Sequence, residues 1–164
     1  MPNGRLFVHK LDLKEMKENF EVRIVVEALV ARKSATLCTD KQIDDLEHLI
    51  DQVEEVINAE DEKSASIAID LFQKFHSSLL DIADNRKCRK ILNDLEAPPI
   101  KRYGHYSIIS ERRLKDSFFE HKEIFNFIAD KNPEKAEAAM KEHIQNVGST
   151  VLKQIQKLGN ITSK

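Results

Sequence analysis

The sequence has no tryptophan, only two cysteines, and just four glycines and four prolines among 164 residues. An all-β domain needs turn residues roughly every 8–12 positions, so the shortage of glycine and proline excludes that class and leaves an all-helical reading. Cys38 and Cys88 are far apart and form no CxxC pair, which points to two buried thiols rather than a disulfide. No apolar run approaches the ~18 residues of a membrane span, and no signal peptide is visible, so the chain reads as cytoplasmic with no membrane partner. An excess of positive charge is missing too. The net charge is −2 and the pI about 6.3, which gives no general attraction to phosphate backbones. The basic clusters Arg86, Lys87, Arg89, Lys90 and Arg112, Arg113, Lys115 are interleaved with apolar residues, as solvated helix faces are.

Catalytic signatures are absent as well. There is no HExxH, no GxSxG and no glycine-rich phosphate loop. A di-iron carboxylate bundle needs Glu-x-x-His pairs, but Phe118 and Met140 stand three residues before His121 and His143. Neither cysteine carries the signature of an activated nucleophile.

What the chain does have is helical periodicity. Helix 1 is expected from about Asp12 to Leu37, with Phe20, Ile24, Leu29 and Val30 on its apolar side. Arg23 and Glu27 lie on it at i, i+4, the spacing of a surface ion pair worth a few tenths of a kcal/mol. Thr39-Asp-Lys-Gln42 is a capping box that opens helix 2, which runs to about Glu60. Its outer face is acidic (Asp44, Asp45, Glu47, Asp51, Glu54, Glu55). Helix 3 spans roughly Glu62 to Ala83. Helix 4 starts near Asn85, carries Cys88, Ile91, Leu92 and Leu95, and is broken by Pro98-Pro99. Helix resumes through Tyr103 to Ile109, and helix 5 runs from about Ser110 to Ile128. Asn132-Pro133 starts helix 6, which frays after Leu158-Gly159. Short connections then predict an antiparallel bundle of about six helices around one core.

Three histidines, His76, His121 and His143, fall on or beside the apolar stripes of three different helices. A single histidine there is usually a core residue bonded to a neighbour. Three of them make a metal or small-ligand site worth weighing, since bundles build such sites from inward side chains and imidazole suits zinc, nickel, copper or iron. His9, His48 and His105 read as surface or loop residues. A tris-histidine metalloenzyme is an alternative, but no general base stands beside the three.

Specific segments also resemble a known family. Glu21-Val-Arg23-Ile-Val-Val-Glu27-Ala-Leu-Val-Ala31-Arg32 resembles the opening helix of the FCD-type effector domain of GntR-family transcription regulators. Phe75-His76, followed nine residues on by Asn85, resembles that family's FH…N motif. Arg113-Leu-Lys-Asp-Ser117-Phe-Phe-Glu120-His121 and Asn132-Pro133-Glu-Lys-Ala136-Glu-Ala-Ala-Met140-Lys-Glu-His143 resemble its two later metal-ligand segments. The similarity covers about residues 11–158.

The resemblance implies a non-enzymatic helical domain that dimerises and binds a small carboxylate metabolite, often over a divalent metal. DNA would be read by an N-terminal winged helix that this chain lacks. Residues 1–10, with Asn3-Gly-Arg-Leu-Phe-Val8 as a short strand, resemble the last wing strand or linker, and residues 159–164 a frayed tail. The family's metal set is an aspartate four residues before the first histidine plus three histidines, and here that place holds Phe72. Asp70 lies about 120° away around the helix and does not substitute. Three imidazoles with open positions still suit zinc or nickel, and the missing carboxylate disfavours manganese and magnesium. An alternative has Phe72 plugging the pocket, leaving the histidines to bond an organic ligand or nothing. Three further residues have two readings each. Arg23 meets a ligand carboxylate or pairs with Glu27. Asn85 meets the ligand or caps helix 4. Arg113 meets the ligand or lies on the surface.

Overall fold

The computed structural model describes residues 13–59, 63–95 and 111–161. These form six helices: α1 (Leu13–Leu37), α2 (Asp40–Asn58), α3 (Ser64–Ala83), α4 (Arg86–Leu95), α5 (Glu111–Ala129) and α6 (Pro133–Ile161). The expected wing strand, the Asp12 cap, the Pro98-Pro99 break, the Tyr103–Ile109 helix, and His9 and His105 lie outside the described residues. Helix boundaries follow local chemistry. Thr39 accepts from the Gln42 amide through its side chain while the Gln42 side chain reaches back to the Thr39 amide, so the capping box forms. Asn132 caps α6 by accepting from the Lys135 amide, with Pro133 in the first turn where its missing N–H costs nothing. Helix α6 runs to Ile161 with Gly148 and Gly159 inside it, each at a cost of about 1 kcal/mol relative to alanine.

Asp84 ends α3 in the left-handed region, with φ 42°. Glycine adopts that conformation without a Cβ penalty. Asp84→Gly is therefore expected to raise stability by a few tenths to about 1 kcal/mol, readable as a shift in the urea midpoint.

Paired contacts give the directions of the helices. On α1 and α6, Arg32 bonds Glu134 and Glu137 while Phe20 sits against Gly148, so one helix descends as the other rises. On α5 and α6, Glu120 meets His143 and Asn146 across a short turn, again antiparallel. Between α1 and α3, Glu27 meets His76 and Ser34 meets Leu79, so these two run in the same sense with α2 returning between them.

The core fills the space among α1, α2, α3, α5 and α6, with Leu46, Phe75, Leu79, Ile124, Ile128, Met140 and Ile144 fully buried. Cys38 and Cys88 are buried free thiols, as expected. The acidic face of α2 is solvated for most of its length.

Helix α1 buries Phe20 and Val30 as expected and departs from the sequence expectation at Leu29. Its inner face holds Ala28, Ala31, Ser34 and Ala35, and Leu29 lies outside at 41% exposure with Val22 and Val25. Small side chains let α6 pack along α1 more extensively than any other pair of helices. The buried Ser34 hydroxyl donates to the Leu79 carbonyl at 2.9 Å. The alanines and serine that share the inner face with Phe20 and Val30 carry little apolar signal of their own, so period alone does not place Leu29 outside. Ile91 of α4 is likewise exposed rather than inward. Helices α1 and α6 meet tightly at Gly148, where a Cβ would lie 2.9 Å from Cγ of Phe20. That ring atom cannot swing clear cheaply, so Gly148→Ala is expected to destabilise by about 1–2 kcal/mol despite alanine's better helix propensity. Thermal unfolding of the variant measures this.

Candidate metal centre

The three histidines converge. His76 comes from α3, His121 from α5 and His143 from α6, and one ligating nitrogen from each lies within 4.8 Å of the others. His121 and His143 are almost fully buried, whereas the His76 side chain keeps 23% of its exposure and forms the solvent side of the cluster. Their rings lie 4.4 Å (His121–His143), 5.1 Å (His76–His121) and 5.4 Å (His76–His143) apart by centroid.

Each imidazole is held from behind through Nδ1. The Nδ1 of His76 lies 2.9 Å from Oε2 of Glu27 on α1. The Nδ1 of His121 lies 2.7 Å from the Ser117 carbonyl one turn back. The Nδ1 of His143 lies 2.6 Å from Oε2 of Glu120 on α5. A carbonyl and an ionised carboxylate only accept, so all three Nδ1 atoms carry hydrogen, an assignment made from their partners. The Nε2 atoms of His121 and His76 approach each other to 3.1 Å.

Both carboxylates are themselves braced. Arg23 donates from Nε to Glu27 at 2.8 Å. Arg113 grips Glu120 with two bonds of 3.0 and 2.8 Å, and Asn146 adds a third at 2.9 Å. Burial alone would raise the Glu27 carboxyl, but Arg23 and His76 outweigh it and hold it down at about 2. Glu120 is likewise held at about 2, with burial opposed by His143, Arg113 and Asn146. Burial pushes His121 well below its usual value, and repulsion from His143 and His76 adds to that. Burial lowers His143 too, with Glu120 in opposition. The interior thus keeps two neutral imidazoles flanked by two ionised carboxylates.

The donor set fits a metal. Zinc–imidazole bonds of about 2.0–2.1 Å place neighbouring nitrogens near the His76–His121 separation already present. His121 and His143 hold Nε2 unprotonated, as ligation requires.

Phe72, which stands where the resembling family has an aspartate, is buried with its ring stacked on His121 at 4.1 Å and 18°. It packs the flank of the cluster with Phe75, whose ring meets His121 edge-on at 5.4 Å. Among the other expected site residues, Arg23 pairs with Glu27. This pair is no surface contact, because the two side chains retain 19% and 7% exposure. Arg113 is turned inward onto Glu120, with 11% exposure, rather than out to solvent. Asn85 caps α4, its Oδ1 accepting from the amides of Lys87 and Cys88 at 3.0 and 3.2 Å. His48 is exposed on α2.

The sequence reading missed Glu27 and Glu120 as members of the site. One signal was available for Glu27, which is a lone carboxylate inside the apolar run Ile24–Ala31. Glu120 gave none, since it adjoins His121 in sequence but serves His143 in space.

The sequence model of the FCD domain matches residues 18–146. The chain is 25% identical over 151 residues to the HTH-type transcriptional repressor RspR of Escherichia coli strain K12, covering 92% of this chain and 64% of the repressor. It is 26% identical over 140 residues to the uncharacterized HTH-type transcriptional regulator YdhC of Bacillus subtilis, covering 84% of this chain and 58% of that one. The solved structure titled Streptococcus agalactiae GntR superposes with a TM-score of 0.64 at 27% identity, covering 87% of this chain and 62% of that chain. The chain therefore spans about 60% of the length of these relatives.

Proposed function

Because this chain belongs to the FCD domain family, we propose that it is the ligand-sensing domain of a GntR-type transcription regulator, with His76, His121 and His143 holding a divalent metal and a small carboxylate metabolite binding over it. The observation that carries the reading is the convergence of three imidazoles from three helices, each held at Nδ1, with one ring nitrogen from each within 4.8 Å of the others. The relatives named above are regulators and a repressor, none of them an enzyme, so the tris-histidine enzyme alternative gains no support.

Three neutral nitrogens with no directly ligating carboxylate favour zinc or nickel over manganese or magnesium. The metal would supply a concentrated positive charge to which an anionic ligand binds. Arg23, Asn85 and Arg113 we assign to the frame of the site, since each is engaged with Glu27, α4 or Glu120. His76 sits at the solvent side, where a ligand would enter. In the whole regulator, DNA contact belongs to a winged helix outside this domain. Ligand binding there acts by shifting the bundle between states that orient it differently. No helix among the described residues is long and apolar enough to cross a membrane, and a cytoplasmic regulator accords with that.

The domain also forms a homodimer in this proposal. Support comes from Val22, Val25 and Leu29, which make an exposed apolar stripe on the outer face of α1, with 42%, 67% and 41% exposure. Such stripes mark association surfaces. Val25→Asp is expected to shift the chain to monomer in sedimentation velocity while leaving its circular dichroism unchanged.

Calorimetry tests the sensor reading. Metal-depleted protein is expected to take up one equivalent of Zn²⁺ or Ni²⁺, after which a panel of mono-, di- and tricarboxylates yields at least one binder. If the wild type binds neither metal nor any carboxylate, the sensor reading is wrong. A second reading, a scaffold with no ligand, draws on the His76–His121 hydrogen bond and the Phe72 stack, which together let the triad close on itself. The same titration separates the two.

A further inference from the structure

Behind the triad, the two carboxylates share one construction. Glu27 reaches from α1 to His76 on α3, and Glu120 reaches from α5 to His143 on α6. Neither glutamate serves a histidine of its own helix. Each is fixed in turn by an arginine three or more residues away on the same helix, Arg23 at 2.8 Å and Arg113 with its two bonds. The side chains of the two glutamates keep only 7% and 20% of their exposure. Taking carboxylates out of water is costly, and an inward apolar residue would pack these positions without that cost. Here the carboxylates and their arginines are present in matched pairs, one for each histidine that lacks a backbone carbonyl. The third histidine, His121, has the Ser117 carbonyl instead.

We infer that Glu27 and Glu120, each held by its arginine, are the positioning residues of the metal centre, fixing the Nδ1–H form of His76 and His143 so that their Nε2 atoms face one point. The inference rests on the metal reading above and extends it to the helices that build the frame. A carboxylate can only accept, so it dictates which nitrogen carries hydrogen. A glutamine of the same shape both donates and accepts, and it leaves the imidazole free to take either tautomer. Carboxylates behind ligating histidines also raise the basicity of the ligand and fix the orientation of its ring. Arg23 and Arg113 each pair with their glutamate and offset its charge. The arrangement ties α1, α3, α5 and α6 together through one cluster, so the site is framed by four helices although only three supply nitrogens.

The test uses the full chain, metal-depleted and titrated with Zn²⁺ against a competing chelator, with folding checked by circular dichroism. Glu27→Gln and Glu120→Gln are each expected to weaken Zn²⁺ binding by about 10- to 100-fold. Nitrogen NMR of the metal-free imidazoles should show Nδ1–H at His143 in the wild type and a mixture of tautomers in Glu120→Gln. A merely structural role would lower the melting temperature and leave the tautomer alone. Should either glutamine variant fail to fold, Asn146→Ala serves, because Asn146 is exposed and only braces Glu120; it is expected to lose affinity severalfold. Folded glutamine variants that bind Zn²⁺ within about twofold of a binding wild type, or that keep a pure Nδ1–H tautomer, overturn the positioning role alone. A wild type that binds no Zn²⁺ overturns the metal reading and this inference together, and the wild-type titration identifies that case.

Discussion

His121→Ala is expected to weaken Zn²⁺ binding by more than about a hundredfold, beyond the 10- to 100-fold effect of residues behind the ligands. His121 is the buried centre of the triad: it touches His76 and His143 and is packed by Phe72 and Phe75. With two nitrogens left and no carboxylate in direct reach of the centre, too few donors remain for a stable site. The metal-free variant should lose only about 1–3 kcal/mol. Removing the ring opens a cavity beside Phe72, yet it also relieves the burial of a polar group. Thermal unfolding with and without Zn²⁺ separates the two effects. The wild type gains about 2.7 kcal/mol when free metal stands at a hundred times its dissociation constant, and the variant gains less than about 0.4 kcal/mol at the same concentration. A variant that is still stabilised by Zn²⁺ to the same extent would remove His121 from the site.

The metal-free protein is expected to lose stability steadily on acidification, in two phases. His121 and His143 are buried with depressed values, so below their ordinary 6.5 the unfolded chain takes up protons that the folded chain refuses. Protons bound preferentially by the unfolded state lower stability as the pH falls. Glu27 and Glu120, held at about 2 against an ordinary 4.5, act with the same sign at lower pH: their contribution is complete above 4.5 and is lost as the pH falls toward 2. Within either window each group adds a slope of up to about 1.4 kcal/mol per pH unit. Urea unfolding at pH 7.5, 6, 5 and 3.5 should show this decline, and a flat profile from 7.5 to 5 would contradict the buried neutral pair. In His143→Phe the upper phase should shrink.

The bundle was legible because its signals are local. The Thr39–Gln42 box and the Asn132-Pro133 start form in the structure as their spacing demands. Phe75, Leu79, Ile124 and Met140 recur at helical period and fill the core. The three histidines could be nominated for the same reason, as each lies on an apolar stripe. What stayed hidden depends on contacts between helices. Leu29 looked inward by period, but the tight packing of α1 on α6 selects alanine and serine for the interface and leaves the larger residue in water. Arg23 and Glu27 read as an exposed pair, since i, i+4 spacing reveals nothing of what lies on the far side of the helix. Arg113 and Glu120 are seven apart and gave no short-range signal at all.

The Ser117 carbonyl that holds His121 belongs to the backbone, so no substitution of a single side chain can delete it. The partners of His76 and His143 lack that protection, because one base change can convert a glutamate codon to that of glutamine, lysine or glycine. Under relaxed selection the triad would therefore come apart unevenly. Drift would release His76 and His143 first, while His121 stayed locked in place as the last trace of the centre in the descendants of this chain.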